Sequence, residues 1–101
     1  MNSVQDLLPI GSVVRLEGGQ KNVVIMGVMQ VKRQKDGRAV PYDYMGVPYP
    51  EGYVGGEMGL LFNHDKIREV IFEGYTNEER RLFIEAIQTI YEQTDKAVSQ
   101  H

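Results

Sequence analysis

From Ser12 to Glu73 the apolar positions alternate with polar ones or cluster in short runs, and a helical period appears only near the C-terminus. Ser12 to Leu16 predicts a short strand, with Val14 and Leu16 on one face and Val13 and Arg15 on the other. Asn22 to Gln34 predicts the longest strand: Val23, Ile25, Gly27, Met29 and Val31 share one parity, and Val24, Met26, Val28 and Gln30 the other. Because both parities are apolar, this strand is expected to be covered on both sides or to bend near Gly27. Ala39 to Tyr44 should return antiparallel to it, with Pro41, which lacks an N–H, marking an edge or a bulge. Glu57 to Phe62 and Ile67 to Glu73 predict a fourth and a fifth strand.

The punctuation between these runs is consistent with antiparallel pairing. Gly18-Gly19 separates the first two strands and Asp36-Gly37 the next two, and such pairs suit tight hairpins because they accept positive φ. Asn63-His64-Asp65 predicts a turn, since Asn and Asp bond their own backbone two residues on. Thr76-Asn77-Glu78-Glu79 then fits a capping box, and Phe83, Ala86, Ile87, Ile90 and Tyr91 form an apolar stripe at helical spacing. Met1 to Leu8 reads as a loose start with one helical turn, anchored by Leu7 and Leu8, and the tail from Asp95 to His101 loses periodicity. The predicted fold class is α+β, a single domain with its core over about 7–94. A curved antiparallel sheet or small, partly closed barrel of about five strands is accompanied by one C-terminal helix.

One stretch does not fit the alternation. Tyr42 to Tyr53 holds four of the six tyrosines together with Pro48, Pro50, Gly46 and Gly52, and Val47 to Gly52 is expected to leave regular structure as a shaped loop. Tyrosines there can bury ring area while the hydroxyl stays wet, which suits recognition at low cost in side-chain entropy. Tyr42, Asp43, Tyr44, Tyr49, Pro50, Glu51 and Tyr53 are therefore the candidate protein-binding residues, with core packing open as the alternative for two of the four tyrosines.

Composition narrows the remaining choices. An apolar fraction of 42% and a charged fraction of 25% are ordinary for a globular domain. A net charge of −3 argues against a dedicated nucleic-acid binder, which would carry a concentrated basic footprint. With no cysteine there is no disulfide, thiolate nucleophile or cysteine-ligated zinc. The start of the chain does not read as a secretory signal, and no run approaches the about 18 apolar residues of a membrane span, so a cytoplasmic protein is expected.

Weighed individually, the reactive groups favour their structural readings. His64 with Asp65 reads as a polar turn, Asp43 and Glu51 as exposed carboxylates, and Ser12 as a strand residue without the context that activates a hydroxyl. Gly52, Gly55 and Gly56 lack the lysine and the following helix of a phosphate loop. Lys32, Arg33, Lys35 and Arg38 form a basic hairpin tip that would attract phosphate or an acidic face, although a solvated turn accounts for it. No catalytic set, cofactor or metal is expected, and no feature sets an oligomeric state.

Three motifs carry a family resemblance: Leu7-Leu8-Pro9-Ile10-Gly11-Ser12-Val13-Val14, then Tyr42-Asp43-Tyr44 with Tyr49-Pro50-Glu51-Gly52, then Val70-Ile71-Phe72-Glu73-Gly74-Tyr75. From about Leu7 to Phe83 the chain resembles a family of small uncharacterised domains encoded in Gram-positive bacteria beside type VII secretion genes and their LXG toxins. The resemblance implies a non-enzymatic cytoplasmic accessory protein, a chaperone or targeting adaptor whose partner is the cognate LXG toxin or another secretion component. An immunity protein for that toxin, or a small ligand-binding domain or enzyme using the Tyr42–Tyr53 loop, is the alternative.

Overall fold

The computed structural model describes residues 3–55 and 59–99, the last six of them as backbone alone. The chain divides into two compact units, one spanning Leu8–Tyr75 and the other gathering the residues up to Leu7 and from Thr76 onward.

The larger unit is a five-stranded antiparallel sheet built from β1 (Val13–Leu16), β2 (Asn22–Arg33), β3 (Ala39–Pro48), β4 (Leu60–Phe62) and β5 (Ile67–Phe72), in the order β4-β3-β2-β1-β5. The two hairpins turn where the glycine signals placed them, with Gly18 and Gly37 at φ 75° and 90°. The sheet must curl, because β4 and β5 lie on opposite edges yet are joined through one short 3₁₀ turn, His64–Lys66. Five residue steps reach at most about 18 Å, whereas the outer strands of a flat five-stranded sheet would lie about 19 Å apart. The edges nevertheless share no ladder, so the sheet is open.

The concave face holds the core. Val14, Val23, Ile25, Tyr44 and Phe62 are buried, and the Tyr44 and Phe62 rings lie 5.4 Å apart on paired positions of β3 and β4. Gly46 makes this packing feasible: a Cβ there would come within 2.5 Å of Val23 Cγ1 and 2.9 Å of the Val24 carbonyl.

The bend expected near Gly27 is a bulge at Met26. Register passes from Ile25 opposite Gly46 to Gly27 opposite Met45, leaving Met26 unpaired and exposed. One extra residue changes the inward parity of β2, so Val23 and Ile25 face the core before it and Val28, opposite Tyr44, after it. Three residues on, Met29 adopts φ 54°, a left-handed conformation that costs an unbranched L-residue about 1 kcal/mol.

β3 is longer than expected. Val47 and Pro48 continue it, opposite Val24 and Val23, so the loop begins at Tyr49. Proline is tolerated because Pro48 is the last strand residue, and Pro41, opposite Val31, lies where β3 has no outer neighbour. In the fourth strand only Leu60–Phe62 is extended ladder, residues 56–58 lying outside the described residues.

The smaller unit pairs a 3₁₀ turn, Val4–Asp6, with helix α1, Glu78–Ser99. Ser3 and Asp6 close a capping box on the 3₁₀ turn. At the start of α1 the cap is Asn77 instead of Thr76: its Oδ1 accepts from Arg80 N at 2.9 Å, and its carbonyl accepts from Arg81 N. The expected apolar stripe is also displaced. Phe83, Ala86, Ile90 and Tyr91 are exposed, while among the described side chains of α1 Ile84 is the buried one. Arg80, one turn earlier, donates from Nη2 to the Leu7 carbonyl at 2.8 Å, which sets the 80/84/87 face toward the N-terminal turn. Val4 and Leu7 are buried, so Val4 takes the anchoring role expected of Leu8.

Candidate protein-docking loop

The Tyr42–Tyr53 stretch divides into an inward half that supports and an outward half that is presented. Tyr44 belongs to the core, at 0% exposure. Its hydroxyl accepts from Leu8 N at 2.9 Å and lies 2.6 Å from His64 Nδ1. The amide can only donate, so the phenol oxygen serves Leu8 N as an acceptor while it shares a hydrogen with the imidazole. Asp43 is structural as well, its Oδ2 accepting from His64 N at 2.8 Å while its own N–H donates to Asn63 Oδ1. These bonds pin the corner between β4 and β5 to β3. They also give His64 a role that the sequence reading as a solvated turn did not anticipate, with Tyr44 and Asp43 in place of Asp65 as its partners.

Tyr42 has the same parity as Tyr44 but is only half buried, because β4 ends opposite Tyr44 and leaves the position beyond uncovered. Past Pro48 the chain turns outward with a defined shape. Tyr49 N donates to the Asn22 carbonyl at 2.9 Å, the Tyr49–Pro50 peptide is cis, and Gly52 N closes the turn onto the Pro48 carbonyl at 2.7 Å. Gly52 takes φ 71° there, a conformation for which the missing Cβ is needed.

Glu51 meets Lys21 Nζ at 2.9 Å, tying the loop to the residue that precedes β2. The lysine's hydrogen bond, helped by the loop's own backbone, holds the Glu51 carboxyl below its ordinary value. Asp43 and Glu51 are thus bonded to separate partners and do not form an acid–base pair. Tyr49 and Tyr53 stand at 55% and 61% exposure on either side of Pro50 and Glu51. Beside Tyr53 a shallow groove runs over the sheet, with Met45, Leu61 and Val31 among its lining.

Among the described residues no group of three or more His, Asp or Glu side chains is placed to hold a metal ion, and no helix is long and apolar enough to cross a membrane. Ser12 is fully buried and its Oγ accepts from Gly74 N at 2.9 Å, a structural bond that nothing in its local sequence signalled.

No curated protein and no solved structure matches the chain. Residues 7–83 match the model of a domain of unknown function, DUF4176, over all five strands and the opening turns of α1, and the chain belongs to that family.

Proposed function

We propose that the protein is a non-enzymatic cytoplasmic accessory protein, a chaperone or targeting adaptor that binds a cognate LXG toxin before its export by type VII secretion. Tyr49, Pro50, Glu51 and Tyr53 form the docking surface, while Asp43 and Tyr44 tie β3, the strand that carries it, to the β4–β5 corner. The observation that carries this reading is the pair of exposed phenol rings on a turn fixed by the Tyr49–Asn22 and Gly52–Pro48 backbone bonds and the Lys21–Glu51 ion pair. Rings held outward on a preformed turn lose little conformational freedom on binding, which favours a protein partner that covers them. The resemblance through Tyr49-Pro50-Glu51-Gly52 supplies the class of partner.

The test is co-expression with the LXG segment encoded beside the gene, followed by affinity capture. Wild type should retain the toxin and a Tyr49→Ser, Tyr53→Ser variant should lose it. Equal recovery by both would rule out the surface, and normal export from a deletion strain that poisons itself would favour immunity instead.

A further inference from the structure

The long β2–β3 hairpin extends past its neighbours. β1 reaches β2 only as far as Ile25, through the Ser12 carbonyl, and the Gly11 N–H bonds the Ile25 carbonyl, while β4 covers β3 only at Tyr44–Gly46. Residues 28–33 and 39–42 therefore form a two-stranded arm whose two edges carry no further strand among the described residues. Its tip concentrates Lys32, Arg33, Lys35 and Arg38 around a single acid, Asp36, in a chain whose net charge is −3. Arg38 is paired with Asp36, and Arg33 donates to the Gly37 carbonyl. Lys32 and Lys35 form no ion pair among the described residues.

The groove beside Tyr53 runs from this tip along the arm. Val31, Met45 and Leu61 give it an apolar floor, Tyr53 lines it as well, and Lys32 and Arg33 supply cations. Met29, in its strained left-handed conformation, sits in the arm immediately before these residues. The Gln30 side chain folds back over Gly27, with Nε2 bonded to the Val28 carbonyl, and fills the space that a Cβ at position 27 would need. Strain of this kind is retained where a surface must be held in one shape.

We infer that this groove binds an acidic polypeptide segment carrying apolar side chains, the apolar groups lying on Val31, Met45 and Leu61 and the carboxylates meeting Lys32 and Arg33 in the groove and Lys35 at the hairpin tip beyond it. The inference rests on the protein-binding reading above and names the chemistry of what is bound. Charge complementarity selects the occupant: the local cationic rim suits carboxylates, and the aliphatic and thioether floor, with Tyr53 as its single ring, offers apolar side chains a seat but no stack of aromatic faces for bases.

The probe is a fluorescein-labelled twelve-residue peptide in which pairs of glutamates separate single leucines, titrated by anisotropy beside its lysine-for-glutamate counterpart and a labelled single-stranded oligonucleotide. The acidic peptide should bind and the basic one should not. Lys32→Glu with Lys35→Glu should weaken binding by about tenfold or more, Val31→Asp similarly, and Lys66→Glu, outside the groove, not at all. Both Lys32 and Lys35 are exposed, so the double reversal should fold, and circular dichroism checks that it does. Absence of acidic-peptide binding, equal binding of both peptides, tighter binding of the oligonucleotide or indifference to the lysine reversal would each overturn the inference. Toxin capture that survives the lysine reversal but not the Tyr49/Tyr53 change would leave the accessory role standing and remove this groove from it. Failure of wild type to capture any toxin would count against the role, and the peptide titration would still decide the groove.

Discussion

Tyr44→Phe isolates the oxygen that joins β3 to the entry of the sheet unit and to its β4–β5 corner. The ring, its burial and its 5.4 Å contact with Phe62 are retained, while the partner of Leu8 N and of His64 Nδ1 is removed. Each bond contributes about 1 kcal/mol net, and a part-buried amide left without an acceptor adds about 1 kcal/mol or more, so a loss of about 2–3 kcal/mol is expected. At about 4–8 °C per kcal/mol for a domain of this size, Tm should fall by roughly 8–24 °C. Urea unfolding followed by far-ultraviolet circular dichroism measures it: the midpoint should drop with the slope unchanged. A double-mutant cycle with His64→Ala should return a coupling of about 1 kcal/mol. A Tyr44→Phe loss below about 0.5 kcal/mol would refute the reasoning, because the hydroxyl would then be dispensable to both partners.

Three further outcomes follow from the packing and the loop. Gly74→Ala should destabilise by more than about 2 kcal/mol, since its Cβ would lie 2.3 Å from the Ile10 carbonyl and 2.9 Å from Ser12 N, and chemical denaturation reports it. Ser12→Ala, which leaves the buried Gly74 amide without its acceptor, should cost about 1–3 kcal/mol by the same measurement. Glu51 should titrate below an ordinary glutamate in carboxyl-detected NMR and return toward it in Lys21→Ala or high salt. Because its folded value is depressed, the Lys21–Glu51 tie is complete above the ordinary carboxylate value and is lost as pH falls through the lowered one.

The legible parts of the fold were those fixed by local chemistry. Gly18-Gly19 and Asp36-Gly37 marked both hairpins, and the open, curved antiparallel sheet with one helix follows from the strands they separate. Long-range coverage decided what local pattern did not. Parity placed Tyr42 and Tyr44 together, but only the length of β4 determined that Tyr44 would be sealed and Tyr42 half covered. Prolines suggested an early end to β3, yet Pro48 sits at its last position, where the missing N–H is harmless. Gly27 marked the bend that forms as the bulge at Met26, whereas the left-handed Met29 carries no signal in a residue type that rarely marks a turn. In α1 the spacing identified a helix correctly, whereas its buried face was selected by Arg80 and the N-terminal turn, more than 70 residues away.

The candidate site was legible as a recognition loop but not in its internal division of labour. Nothing local links Tyr44 to His64 or Asp43 to the His64 amide, both about 20 residues apart in sequence. Glu51 read as an exposed carboxylate, and its partner Lys21, 30 residues earlier, is brought to it because β2 pairs with the end of β3. The exposed pair Tyr49 and Tyr53 is what remains of the original four once coverage is taken into account.

The most direct measurement is a calorimetric titration of an LXG toxin segment, the partner proposed above, into three purified proteins: wild type, Tyr44→Phe and Tyr49→Ser with Tyr53→Ser. If the exposed rings make the contact, truncating two interface anchors at about 2 kcal/mol or more should weaken binding by at least about 30-fold, while Tyr44→Phe, below its unfolding temperature, binds as wild type does. Wild-type affinity in the double variant, with or without a loss in Tyr44→Phe, would contradict the account.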